Sequence, residues 1–194
     1  MATTPATSVC PGCGVVLPAA PQAGQASATS PGPTHEYMTS SPECWSRFGV
    51  LLAAQYSDPA RMQFHQLVVD AYAVQHPGGQ GDHEGDEQPP DPRAVQSVAI
   101  HLMTLCLFLE HGFDPARGTT LHRAMVDRPS FHHLPAPASR GALTVTSVPT
   151  DPSADIASVR TATYDWASSA WNAWGEHHHV VHAWLVESGL LPPG

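Results

Sequence analysis

The chain contains no lysine, and its eight basic residues, all arginine, stand against 17 acidic ones for a formal charge of −9. Without lysine there is no Schiff-base amine, no P-loop ammonium and no lysine general base. Eight scattered arginines in an acidic chain form no basic stripe for a phosphate backbone, so nucleic acid is not an expected partner. No apolar run reaches the roughly 18 residues that cross a bilayer. The opening MATTPATSVCPGCG has no charged segment followed by an apolar one, as a signal peptide would. No membrane association is expected, and the expected location is cytoplasmic. What the chain has in excess is histidine, 13 residues, and proline, 20 residues. GC-rich codon usage accounts for the missing lysine and for most of the proline. It leaves the placement of the histidines to be explained.

The 194 residues suffice for one ordinary domain. Residues 1–46 read as a flexible arm carrying a knuckle-like cysteine segment, and residues 47–194 as a helical domain. Ser41 as N-cap, Pro42 and Glu43 open a first helix that runs to about Tyr56. Ser57-Asp58-Pro59 opens a second, to about Gln75, which His76-Pro77-Gly78-Gly79 stops. Residues 77–91 form an acidic loop. A third helix starts near Asp91-Pro92 and closes at Gly112, and a short one covers about 119–128. Residues 129–153 are an irregular crossover with one β-like patch at 142–146. A last long helix runs from about Pro152 to Glu187. The expected class is all-α, a four-helix-bundle-like domain with an N-terminal Cys-x-x-Cys knuckle.

Cys10-Pro-Gly-Cys13-Gly is the sharpest local motif. Two thiolates two residues apart grip one tetrahedral ion, and a structural zinc needs two further ligands. Cys44 is the expected third and His35 the expected fourth. A redox pair is the competing reading, but this Cys-x-x-Cys lies in Pro/Gly-rich coil instead of at a helix start after a strand. Cys106, inside LMTLCLFL, reads as a small buried hydrophobe.

The histidines fall on helix faces. His65, Val69, Tyr72 and His76 share one face by the i, i+4, i+7, i+11 spacing. Asp70 lies roughly 140° away, placed to cap, to pair with an arginine or to hold a histidine of a neighbouring helix. His101 stands within the apolar run VAIHLMTLCLF. In the last helix Tyr164, Ala167, Trp171, Trp174, His178, His182 and Leu185 form one stripe, and His178 and His182 have the i, i+4 spacing of a two-histidine metal grip. The reading is a bundle-core site with His101, His178 and His182 as ligands to a second divalent metal, and with His65, Asp70 and His76 as catalytic acid–base or orienting groups. Which metal binds there is not fixed by sequence.

The succession CPGCG, THEYMTSSPECW, HQLVVDAYAVQHPG, SVAIHLMTLCLFLE and WNAWGEHHHVVHAW resembles a bacterial family of small proteins of unknown function. The resemblance implies that Cys10, Cys13, Cys44, His65, Asp70, Tyr72, His76 and His101 belong to the family pattern, and it brings no activity. A weaker likeness is to the DinB-like four-helix proteins, which include thiol-dependent transferases. Their three metal-binding histidines would correspond to His101, His178 and His182, although the cysteine knuckle has no counterpart there. The expected function is a metal-dependent enzyme acting on a small molecule by hydrolysis or thiol-linked transfer. The alternatives are a non-enzymatic, zinc-stapled binding or regulatory module, and a metal sensor assisted by His83 and the acidic loop 82–87. Oligomeric state is not legible.

Overall fold

The computed structural model describes residues 6–19, 38–78, 89–126 and 130–192. The protein is mostly helical. Strands β1 (Thr7–Val9) and β2 (Val16–Pro18) form a small antiparallel hairpin in the register Thr7 to Pro18 and Val9 to Val16. Then come α1 (Pro42–Tyr56), α2 (Pro59–Met62), α3 (His65–Gln75), α4 (Pro92–Leu109), α5 (Gly118–Met125), α6 (Ile156–Ala173) and α7 (His178–Glu187). Short 3₁₀ turns occupy Pro115–Arg117, Val145–Ser147 and Gly175–His177.

The helix starts follow from local chemistry. Ser41, Asp58, Asp91 and Asp155 each accept a backbone N–H of the first turn through their side chains, satisfying donors that the helix leaves unpaired. Proline follows three of these caps, where its missing N–H costs nothing. Gly112 and Gly189 take positive φ values of 65° and 69° just past helix ends, a conformation that glycine adopts without strain.

Helix α4 is the centre of the molecule and packs against α3, α5, α6 and α7. It corrects one expectation, because it is 18 residues long with a mean hydropathy of 1.4, apolar enough by length and composition to cross a membrane. Twelve of its residues are buried within the fold, which accounts for its composition as that of a core helix.

Two other expectations are corrected. The second helix is two, because the chain breaks at Gln63 and Phe64 between α2 and α3. The last helix also breaks. Trp174 departs from helical geometry with ψ of 16°, a 3₁₀ turn follows, and α7 starts afresh at His178. The crossover holds no more than a short extended piece, as expected: Thr144 is extended and caps a 3₁₀ turn through a reciprocal capping box with Ser147.

Glu110, the C-cap of α4, ties that helix to α6 and α7. Trp171 Nε1–H donates to its Oε1 at 2.9 Å and His182 Nε2–H to its Oε2 at 2.8 Å. Burial raises the Glu110 pKa, but these two hydrogen bonds and the nearby imidazoles outweigh it and hold the carboxyl below its ordinary range. A carboxyl depressed in the folded state contributes stability above its unfolded-state pKa and loses it as the pH falls through the folded value. Glu110→Gln is therefore expected to flatten the acid limb of stability against pH, measured by urea unfolding. An unchanged acid limb would remove Glu110 as its source.

Candidate metal centre

The hairpin, the start of α1 and the end of α3 meet at one point. The loop between β1 and β2 carries Cys10 and Cys13. It is closed by Cys10 N–H to Val15 O and Gly14 N–H to Cys10 O, both at 2.9 Å, with Gly14 at φ 73°. Cys44 sits in the first turn of α1, its N–H bonded to the Ser41 cap at 3.2 Å. His76 follows the last residue of α3. Residues 38 and 39 run beside the chain leaving α3, with a bridge from Met38 to Pro77 and Thr39 N–H donating to His76 O at 3.0 Å.

One ligand atom from each of Cys10, Cys13, Cys44 and His76 lies within 4.8 Å of the other three, and all four residues are buried. Cys13 Sγ is 3.8 Å from Cys44 Sγ, and Cys44 Sγ is 3.4 Å from His76 Nε2. Two sulfurs at about 2.3 Å from one tetrahedral ion stand about 3.8 Å apart, and a sulfur and an imidazole nitrogen about 3.5 Å apart. The observed separations match the edges of such a tetrahedron. They are far from the roughly 2.05 Å of a disulfide, and the four cysteines are free.

The second ring nitrogen of His76 is also engaged. Nδ1–H donates to Tyr72 O at 2.7 Å, which fixes the tautomer and leaves the Nε2 lone pair facing Cys44. This is how ligating histidines are oriented. The ring stacks on Tyr72 with centroids 4.0 Å apart, and the Tyr72 hydroxyl donates to Cys44 Sγ at 3.6 Å. Gly12 lets the loop lie this close. A Cβ there would fall 2.4 Å from both His76 Cδ2 and Thr39 O, nearer than packed carbon atoms approach.

The protons of these groups are shared. Hydrogen bonding to Cys13, then to Cys44, holds the Cys10 thiol far below its usual range. Hydrogen bonding to Cys10 and Cys13, with burial, pushes Cys44 up. For His76, burial lowers the pKa, but contacts with Cys10 and Cys13 outweigh it and raise it to about 9. A dication takes the place of such protons when thiols and an imidazole converge.

The structure thus brings together Cys10, Cys13 and Cys44 as expected. It supplies His76, read in sequence as an acid–base group, as the fourth donor facing them. His35, the expected fourth ligand, lies outside the described residues, as do His83 and the acidic loop 82–87. Cys106 is buried, and burial with the nearby Glu110 raises its thiol to about 12.

The three-histidine core site does not form as expected. His101 and Glu110 are nine positions apart on α4, roughly 13 Å along the axis at 1.5 Å per residue. His182 bonds Glu110 at 2.8 Å, and His178 Nδ1 lies 3.9 Å from the same carboxylate. Both therefore face the far end of α4 from His101. His178 stacks on Trp171 at 3.7 Å, and its Nε2–H donates to Trp171 O. His65 is placed apart as well, with Nδ1 3.0 Å from Gln55 Oε1 and its ring against Tyr56.

His101 instead meets Asp70, at 2.6 Å from Nδ1 to Oδ1, and His122 of α5 stands 3.4 Å from the same oxygen. His122 was not anticipated. It lies in the short segment GTTLHRAM, beside the buried stripe of Leu121 and Met125 and not on it.

A family model described as a family of unknown function (DUF5946) matches residues 8–175, a span that includes all four residues of the cysteine–histidine cluster and the Asp70–His101–His122 group. No curated protein and no solved structure matches the chain.

Proposed function

The chain belongs to that family of unknown function, and we propose that it is a zinc protein in which Cys10, Cys13, Cys44 and His76 hold one structural ion. The observation that carries this reading is the convergence, within 4.8 Å, of four ligand atoms from a hairpin, a helix start and a helix end far apart in sequence. Three thiolates and one imidazole form a closed, four-coordinate set of the kind found in structural zinc sites. The ion clamps the hairpin onto the helical body.

Such a site leaves no coordination position for a substrate. This favours the non-enzymatic, zinc-stapled module over hydrolysis or thiol-linked transfer at the same ion. A cleft of about 390 Å³ between β2 and α1 is lined by Leu17, Pro42, Glu43, Arg47 and Val50, among others, with no histidine on its wall among the described residues.

The test is metal analysis of the purified full chain. About one zinc per chain is expected in the wild type. Cys13→Ser, Cys44→Ser and His76→Ala are each expected to lose most of it. A wild type that takes up no zinc after reduction and reconstitution, or variants that keep it at full occupancy, would overturn the reading.

A further inference from the structure

A second cluster of metal-ligating groups lies on the other side of α3, at its contact with α4 and α5. Asp70 points from the middle of α3 and is completely buried. Its Oδ1 receives His101 Nδ1 of α4 at 2.6 Å and Gln66 Nε2 at 2.7 Å, with His122 Nε2 of α5 at 3.4 Å. One ligand atom from each of Asp70, His101 and His122 lies within 4.8 Å of the other two.

The other carboxylate oxygen, Asp70 Oδ2, is buried and has no hydrogen-bond partner among the described residues. A buried carboxylate oxygen without a partner carries a desolvation cost that a cation would offset. The remaining neighbours contact the same atoms that would ligate, in hydrogen bonds that an ion would replace. Gln66 Nε2 bonds Asp70 and also lies 3.2 Å from His122 Nε2, and Thr104 Oγ1 is 3.3 Å from the same nitrogen. Gln66 reaches this position because residue 118 is glycine: a Cβ there would lie 2.1 Å from Gln66 Cγ.

We propose that Asp70, His101 and His122 bind a second ion, a divalent transition metal with open coordination positions. Two imidazoles and one carboxylate suit iron(II), zinc, manganese or cobalt better than calcium or magnesium, which prefer all-oxygen cages. Three protein ligands leave room for water, the coordination of catalytic rather than structural sites. The imidazole side chains are 13% exposed at His101 and 23% at His122, while Asp70 is 0% exposed. The open positions therefore lie on the imidazole side, toward solvent. This site differs from the cysteine cluster in both ligands and location, so the two are separable by experiment.

The experiment is titration of the metal-free, reduced full chain with cobalt(II), followed by absorption spectroscopy. The first equivalent reports thiolate-to-cobalt charge transfer from the cysteine site. The second is expected to bind with weak visible bands and no further thiolate transition. His122→Ala, a partly exposed position on the short α5, and Asp70→Asn are expected to keep the first signal and weaken the second ion's binding at least a hundredfold, about the upper end of the effect of losing an orienting partner. The thiolate signal doubles as a control for folding, because its ligands come from three segments of the chain. A wild type that binds no second equivalent, or variants that bind it as tightly as the wild type, would overturn the proposal. A wild type that lacks the thiolate signal but binds one equivalent lost in His122→Ala would count against the first site alone.

Discussion

On the proposed zinc reading, treating the full chain with a strong chelator is expected to lower its thermal midpoint by roughly 8–16 °C. A ligand present at about a thousand times its dissociation constant contributes about 4 kcal/mol to folding. In a chain of this size each kcal/mol moves the midpoint by about 2–4 °C. The effect would arise because the proposed ion holds together segments that otherwise share few contacts. β1 and β2 are three residues each, and a hairpin that short is not stable alone in water. Its cysteines are nevertheless part of the same buried cluster as Phe48, Leu67 and Tyr72. Melting curves by circular dichroism, with and without chelator, check this, and added zinc should restore the midpoint. Cys44→Ser should melt near the chelated value and no longer respond to zinc. A midpoint indifferent to chelation in protein shown to contain the metal would sink the clamp as a source of stability.

The second large effect is expected at Trp166, which is fully buried. Its indole N–H donates to Gln75 Oε1 at 2.8 Å. Gln75 is also fully buried, and its amide nitrogen donates to Arg140 O at 2.7 Å and Leu143 O at 2.8 Å. One glutamine thus joins α3, α6 and the crossover segment. Trp166→Ala is expected to cost about 3–5 kcal/mol for the lost ring, with about 1–3 kcal/mol more for the stranded acceptor. Together these approach the whole stability of many domains. Trp166→Phe separates the two contributions by keeping most of the bulk and losing the donor, with an expected loss of about 1–3 kcal/mol. Urea unfolding measures both. A phenylalanine variant as stable as the wild type would show that the bridge through Gln75 contributes nothing.

Much of the architecture was legible from short-range signals. The caps at Ser41, Asp58 and Asp91 and the glycine at position 112 act within one turn, and the helices begin or end at them. The pairing of Cys10 and Cys13 with Cys44 was legible for a similar reason, since few residue types hold a metal and the motif spacing is local. Two helix breaks were not legible. At Gln63 and at Trp174 to Gly175 no proline interrupts the pattern, and periodicity runs on through the sequence where the backbone does not. The second break separates His178 and His182 from the register that joined them to Trp174.

The role of His76 was hidden by the same habit of extrapolation. Counted as the next position on the His65 face, it belongs to a helix. In the structure it lies one residue past the helix end, at φ −126°, and there its ring turns to the sulfurs. His122 and the assembly around Asp70 depend on how α3, α4 and α5 pack together, which no spacing within one segment encodes. Asp70 was nonetheless placed correctly in one respect, as a group able to hold a histidine of a neighbouring helix.

An ion held by the cysteine–histidine cluster would also divide the chain into closed rings. Cys13 and Cys44 are 31 positions apart, and Cys44 and His76 are 32. Closing a ring costs entropy that grows only logarithmically with its length, about 0.6 kcal/mol for each doubling. Insertions or deletions between Cys13 and Cys44 are therefore cheap for the clamp, while a one-residue change between Cys10 and Cys13 would break the chelate itself. Length variation among related chains should concentrate inside the first ring and be absent from the two residues that separate the first pair of sulfurs.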